Sequence, residues 1–110
     1  MYVAISARYK TLTNIGYSSP MNIVSEELII VNPLGMHLRP AQRLVQTVLA
    51  FQCEVHIIRE GHRVNAKSIM GLLTLAAARG TALEVVCEGV DAEAAMQAVR
   101  DLVESGFGES

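Results

Sequence analysis

The stretch "NPLGMHLRPAQRL", Asn32 to Leu44, carries the chain out of an apolar β-branched run and into a helix, with one histidine at the junction. Upstream, "ELIIVN" (27–32) is apolar at consecutive positions and predicts a central strand, buried on both faces. Gly35 allows backbone conformations closed to other residues, so the chain can turn sharply out of that strand. Downstream, Ala41, Leu44, Val45, Val48 and Leu49 recur at helical spacing and predict a helix from about 38 to 51. Pro40 lacks an N–H and is tolerated within the first turn of such a helix. His37 therefore falls at the helix start, where free backbone N–H groups and the positive end of the dipole converge. That environment suits an anion and suits a cation poorly, which favours a neutral, nucleophilic imidazole. A phosphoryl group on a ring nitrogen would meet helix N–H groups and the guanidinium of Arg39. Judged by position alone, a histidine beside a helix start is more often a mediocre cap or a partly exposed surface residue. Arg39 strengthens the chemical reading without deciding it, because a cation in the first turn opposes the dipole unless it serves an anion.

The rest of the chain fits one α+β domain around this junction. "CEVHIIR" (53–59) alternates, with Cys53, Val55 and Ile57 on one face and Glu54 and His56 on the other. Glu60-Gly61 then predicts a hairpin turn into "HRVNA". "KSIMGLLTLAAARG" predicts a second helix with Ile69, Leu72, Leu73 and Ala76 on one face and Gly80 at its end. "TALEVVCEG" (81–89) alternates again, and Asp91 is placed to cap a third helix. The inner face of that helix is Ala95, Met96, Val99, Leu102 and Val103, and it closes near Gly106. The order is βαββαβα, a two-layer sandwich with helices on one face of a mostly antiparallel sheet. Residues 1–24 stand apart: "TLTNIGYSSPMN" shows neither period and reads as a flexible extension, or as upstream sequence translated from an earlier start codon. The domain proper is expected over 25–110.

Composition limits the function classes. Hydrophobic residues make up 51% and charged residues 18%, so the chain is globular rather than disordered. A net charge of −2 argues against nucleic-acid binding through general basicity. No apolar run approaches the ~20 residues of a membrane span, and the first ten residues lack a signal-peptide core, so a cytoplasmic protein is expected. Cys53 and Cys87 lie in strand patterns without metal-ligand spacing, which predicts reduced packing residues and no metal or other cofactor.

Two motifs carry a family resemblance. "GMHLRPA" resembles the active-site motif of the histidine-containing phosphocarrier protein (HPr) family of the bacterial phosphoenolpyruvate-dependent phosphotransferase system. "VNAKSIMGLLTLAAARGT" resembles that family's second signature, around a regulatory serine. They stand in the family's order and separation, and the resemblance covers about 26 to 107. It implies an open-faced sandwich with a four-stranded antiparallel sheet ordered 1-4-2-3. It also implies that His37 is phosphorylated on Nδ1 by enzyme I, that Arg39 contacts the phosphoryl group, and that a IIA protein or domain receives it. The chain would then be a phosphoryl-group carrier with a phosphohistidine intermediate, not a stand-alone catalyst, working as a monomer that meets partners transiently. Family members often carry Ala or Thr where this chain has Leu38, a departure that bears on partner choice rather than on the chemistry.

Ser68 is first of all a good N-cap, worth ~1 kcal/mol. The resemblance adds phosphorylation there by an HPr kinase/phosphorylase, which would place about −2 of charge on the surface that partners approach. One short helix cannot bury every apolar residue of "SIMGLLTLAAA". A face holding Met70, with Ile69 and Leu73, is therefore expected to join Leu38, Arg43 and Gln46 in a docking surface around His37. His56 and His62 read as a solvent-facing strand residue and a hairpin residue. "VESGFGES" and "FQCEVHI" resemble the nitrogen-related branch of the system, whereas "NAKSIMGLL" leans toward carriers under serine-kinase control. Two other classes compete: a regulatory binding protein acting through phosphoserine or docking without phosphotransfer, and a small-ligand or metal-binding domain. The first would lack the histidine and the second would need ligand spacing.

Overall fold

The structure is a computed structural model and describes residues 22–109 together with the backbone of 9–13. Its elements in order are β1 (Tyr9–Thr13), β2 (Asn22–Ile29), α1 (Leu38–Val48), β3 (Glu54–Arg59), β4 (His62–Asn65), α2 (Ile69–Thr74), β5 (Ala82–Glu88) and α3 (Ala92–Glu104). A 3₁₀ turn, Gly106–Gly108, follows α3. The sheet runs β1-β2-β5-β3-β4, antiparallel at every pairing. Its last four strands stand in the order 1-4-2-3 expected from the sequence, with the three helices on one face.

Alternation along each strand puts one set of side chains into the core. Val24, Leu28, Leu83, Val85, Cys87, Val55, Ile57 and Val64 are buried, while Glu27, Glu54 and Glu84 face out. The helices close over this face with Leu44, Val48, Leu72, Met96 and Val99, all but unexposed. Glu26 is the charged exception, held on β2 by Arg100 of α3 through two bonds of 2.8 and 2.7 Å. That bidentate fork lets a carboxylate sit in the core without being left unpaired.

The structure corrects the sequence expectations at several points. The first core strand begins at Asn22, inside the stretch assigned to an extension, and ends at Ile29. It is buried on one face only, since Ile29 and Val31 are exposed while Leu28 and Ile30 are not. Tyr9–Thr13 adds a further strand on its outer edge, in register Tyr9↔Glu26 to Thr13↔Asn22. A strand edge with unpaired N–H and C=O groups accepts such a partner readily, which no periodicity could announce. The rest of the expected extension, 1–8 and 14–21, lies outside the described residues.

The first helix ends at Val48, and Leu49 turns into solvent instead of packing. The second stops at Thr74, six residues before Gly80. There Ala76 takes a left-handed φ of +49°, and the carbonyls of Leu75 and Ala76 accept from Arg59 Nη1 at 2.8 and 3.1 Å. Bonds to other elements outweigh the helix propensity of "AAA", and Ala76 is exposed rather than on the inner face. Asp91 holds the cap position of α3 without a side-chain cap bond. Its carboxylate instead accepts from the Gln52 and Cys53 N–H groups at 2.8 and 2.9 Å, pinning the turn before β3.

Candidate functional site

The junction between the first core strand and α1 becomes a built site through Gly35. The Gly35 N–H donates to the Asn32 carbonyl at 3.1 Å, closing a turn over Pro33 and Leu34. At φ +70°, a Cβ on Gly35 would stand 2.3 Å from the Ala77 carbonyl oxygen. The next residue uses that close approach: the Met36 N–H donates to the same oxygen at 2.8 Å. The loop bearing the histidine is thus fastened to the segment after α2, and the two motifs meet through backbone.

His37 then takes the cap position of α1 in an extended conformation, with no side-chain cap bond. Its carbonyl accepts the first helical bond, from the Ala41 N–H at 3.0 Å. Pro40 has no N–H, so the Leu38 and Arg39 N–H groups are the ones presented at the helix start. No acidic residue occupies that first turn. Arg39 is exposed, and its side chain has no hydrogen bond or ion pair to any described residue.

The ring of His37 is 35% exposed, and its Nε2 lies 2.9 and 3.2 Å from the two oxygens of Glu109. A carboxylate only accepts, so Nε2 carries the proton, and in the neutral ring the lone pair sits on Nδ1. Glu109 is held in turn by the Asn32 amide, whose Nδ2 donates to Oε1 at 2.9 Å. Burial pushes the Glu109 carboxyl up, but the hydrogen bonds from Asn32 and His37 and the charges of His37 and Arg43 outweigh it. Glu109 ends below the ordinary carboxylate range.

The turn after α3 delivers that carboxylate. Gly106, Phe107 and Gly108 all have positive φ, and Phe107 is fully buried as an anchor. Arg43 Nη1 donates to the Phe107 carbonyl, and a Cβ on Gly108 would fall 2.8 Å from that same nitrogen. "GFGE", legible in the sequence only as a branch marker, therefore reverses the chain onto His37. Glu109 and Asn32 were missed as site residues. The one available signal was a Gly-Phe-Gly turn ahead of a carboxylate.

The remaining expected residues divide. Ser68 caps α2, its Oγ accepting from the Gly71 N–H at 3.0 Å. Leu38 and Met70 are 53% and 75% exposed and Gln46 is exposed, whereas Ile69 and Leu73 pack partly against the core. Arg43 is half-buried and committed to the C-terminal turn. His62 Nε2 lies 2.8 Å from Thr74 Oγ1, across the surface between β4 and α2. Among the described residues, no three His, Cys, Asp or Glu side chains converge on a metal position. No helix among them is long and apolar enough to cross a membrane.

Comparison with known proteins places these features in a family. A family model described as "PTS HPr component phosphorylation site" matches residues 24–105. The phosphocarrier protein HPr of Xylella fastidiosa (strain 9a5c) is 45% identical over 87 residues, which cover 79% of this chain and 98% of that protein. The phosphocarrier protein HPr of Neisseria meningitidis serogroup A is 42% identical over the same shares. Among solved structures, HPr-C-His from Thermoanaerobacter tengcongensis superposes with a TM-score of 0.75 at 40% identity, covering 78% of this chain and 97% of that one.

Proposed function

The chain belongs to the HPr family of phosphocarriers, and on that premise we propose that His37 accepts a phosphoryl group from phosphorylated enzyme I and passes it to a IIA protein or domain. The Nδ1 lone pair attacks phosphorus as the bond to the donor breaks, and the new P–N bond carries the group until the reverse step delivers it. Charge on the phosphoryl oxygens meets the Leu38 and Arg39 N–H groups and the Arg39 guanidinium. The positive charge that develops on the ring is met by Glu109 through Nε2–H. Catalysis on the carrier's side is positioning and electrostatics, with no metal of its own.

The observation that carries this reading is the orientation of His37. Nε2 is held by a carboxylate, which leaves Nδ1 as the nucleophile at a helix start that lacks a cap. The test is phosphotransfer: incubate the protein with enzyme I, magnesium and labelled phosphoenolpyruvate, beside His37→Ala. Acid-labile, base-stable label that is absent from the variant supports it. No label with several enzyme I sources, including the nitrogen-branch type, refutes it.

Regulation through Ser68 follows as part of the same proposal. Its hydroxyl is half-buried beside the exposed Met70, so a phosphate there would charge the surface that partners approach and displace the Gly71 bond. An HPr kinase/phosphorylase is the modifying enzyme this implies. Leu38, Gln46 and Met70 form the exposed part of the docking surface, with Ile69 and Leu73 beneath it. Arg43 belongs to it through the C-terminal turn it holds in place. The protein is assigned to the cytoplasm as a monomer meeting its partners transiently, with a regulatory IIA protein of the nitrogen-related branch as the favoured acceptor.

A further inference from the structure

Asn32 is 1% exposed, and its Oδ1 is the one buried side-chain oxygen or nitrogen among the described residues without a hydrogen-bond partner. Both hydrogens of its Nδ2 are used, one on the Gly35 carbonyl at 2.8 Å and one on Glu109 Oε1 at 2.9 Å. An asparagine opening a turn ordinarily uses its side-chain oxygen, accepting from a backbone N–H two residues on. Here that oxygen is left idle while both hydrogens point at acceptors. Rotating the amide would not help, because Oδ1 would then face a carbonyl and a carboxylate. An idle polar atom in the core costs stability and calls for an explanation.

We propose that Asn32 is a positioning residue for phosphotransfer: its amide holds Glu109 against His37 Nε2, and so presets the ring tautomer that exposes the Nδ1 lone pair. The reading rests on His37 being the phosphoryl acceptor. One side chain joins three parts of the site: the turn that launches His37, the tail that carries Glu109, and the charge that faces the ring. Aspartate has nearly the same shape and would serve a turn equally well, but it would put an acceptor against both acceptors. The requirement is for a double donor, and in a side chain this short only asparagine supplies one. The imidazole is oriented as metal-binding histidines are, by a carboxylate that is itself fixed from behind.

The test is a cycle of Asn32→Asp, Glu109→Gln and the double variant. It is read by the rate of label transfer from enzyme I and by two-bond nitrogen–proton spectra of the His37 ring. Asn32→Asp is expected to slow phosphoryl acceptance roughly tenfold and to move the ring away from its Nε2–H form. In the double variant the carboxylate introduced at position 32 can accept from the amide introduced at position 109, whose own oxygen still faces Nε2. The Nε2–H tautomer should therefore return, and the rate should be no lower than that of Glu109→Gln alone. Equal effects of Asn32→Asp in the parent and in the Glu109→Gln background would overturn the proposal, as would an unchanged tautomer. Should Asn32→Asp fail to fold, Asn32→Ser, too short to reach position 109, takes its place: acceptance should slow and the ring leave its Nε2–H form, with no return in the Glu109→Gln background, and an unchanged tautomer would overturn the proposal. If the wild-type protein accepts no phosphate at all, the carrier reading fails, while the spectra still decide whether Asn32 sets the ring.

Discussion

At the start of α2 the Ser68 hydroxyl accepts from the Gly71 N–H at 3.0 Å, whereas the start of α1 has no cap bond and turns its histidine toward Glu109 instead. Both helices face the same demand, N–H groups with no partner in the first turn. In α2 the chain answers it with its own side chain. In α1 it withholds the answer and adds a cation, Arg39, where an acid would stabilise the helix. On the proposed function, the contrast separates a helix end that serves the fold from one that would receive an anion. A cap consumes the N–H groups that a phosphoryl ligand would need, so one helix start cannot do both at once.

The largest expected effect breaks the contrast at α1. Arg39→Ala should slow phosphoryl acceptance roughly a hundredfold, the scale for losing one donor to a developing oxyanion. Its thermal stability should hold or rise, because the removed charge opposes the dipole. Labelling rates and a melting curve check both parts. A stability loss with an unchanged rate would make Arg39 a structural residue.

Glu109→Gln comes next, with acceptance roughly tenfold slower because a neutral amide meets the ring's developing charge less well. The same carboxylate sets a pH dependence. Its folded pKa is held below the ordinary range, after hydrogen bonds from Asn32 and His37 outweigh the upward push of burial. The stability it contributes is therefore fully present above the ordinary carboxylate value and lost as pH falls through the folded one. Melting curves across acid pH should show a shallower decline in Glu109→Gln than in the parent.

Ser68→Ala tests the other helix. It should cost about 1 kcal/mol, roughly 5 °C in melting temperature, while acceptance by His37 stays within about twofold. A larger loss of transfer than of stability would show that the two helix starts are coupled, and the contrast between them would fail.

The smallest effect sharpens the comparison at α3, where Asp91 stands at the cap position but is spent on the turn before β3. The Gln52 N–H, followed by that of Cys53, holds its carboxyl below the ordinary range despite partial burial. Burial, and then the Asp91 carboxylate, push the neighbouring Cys53 thiol up to about 11, and burial pushes Cys87 up to about 12. Both thiols should resist a thiol reagent at neutral pH, and Asp91→Ala should speed labelling of Cys53 a few-fold while leaving Cys87 protected. Because both folded values are raised, the stability tied to the protonated thiols is fully present below their unfolded value and lost as pH rises through the folded ones.

What was legible in the sequence is what has a local cause. Alternation placed Cys53, Val55 and Ile57, and Leu83, Val85 and Cys87, on the buried face. Helical spacing placed Ala95, Met96, Val99 and Val103 there too. Positive φ at Gly35 and the cap at Ser68 follow from residue type at a turn. His37 and Arg39 stood out because their types conflict with the helix start they occupy. The shortened α2, the strand at Tyr9–Thr13 and the diverted Asp91 were not legible, because each is settled by a bond to a residue distant in the chain.

Sequence alone therefore determined the βαββαβα order from the first core strand onward, the buried sides of β3, β5 and α3, and the histidine at a helix start. Those properties depend on side-chain period and backbone preference, which act over a few residues. Only the tertiary structure decided which nitrogen of His37 is held. That choice needs Glu109, 72 residues away, and Asn32, 77 residues from Glu109, brought to hydrogen-bonding distance by the buried Phe107 and the reversal around it. Directional bonds of about 3 Å between distant positions leave no periodic trace, so the tautomer of the ring is a property of the folded chain.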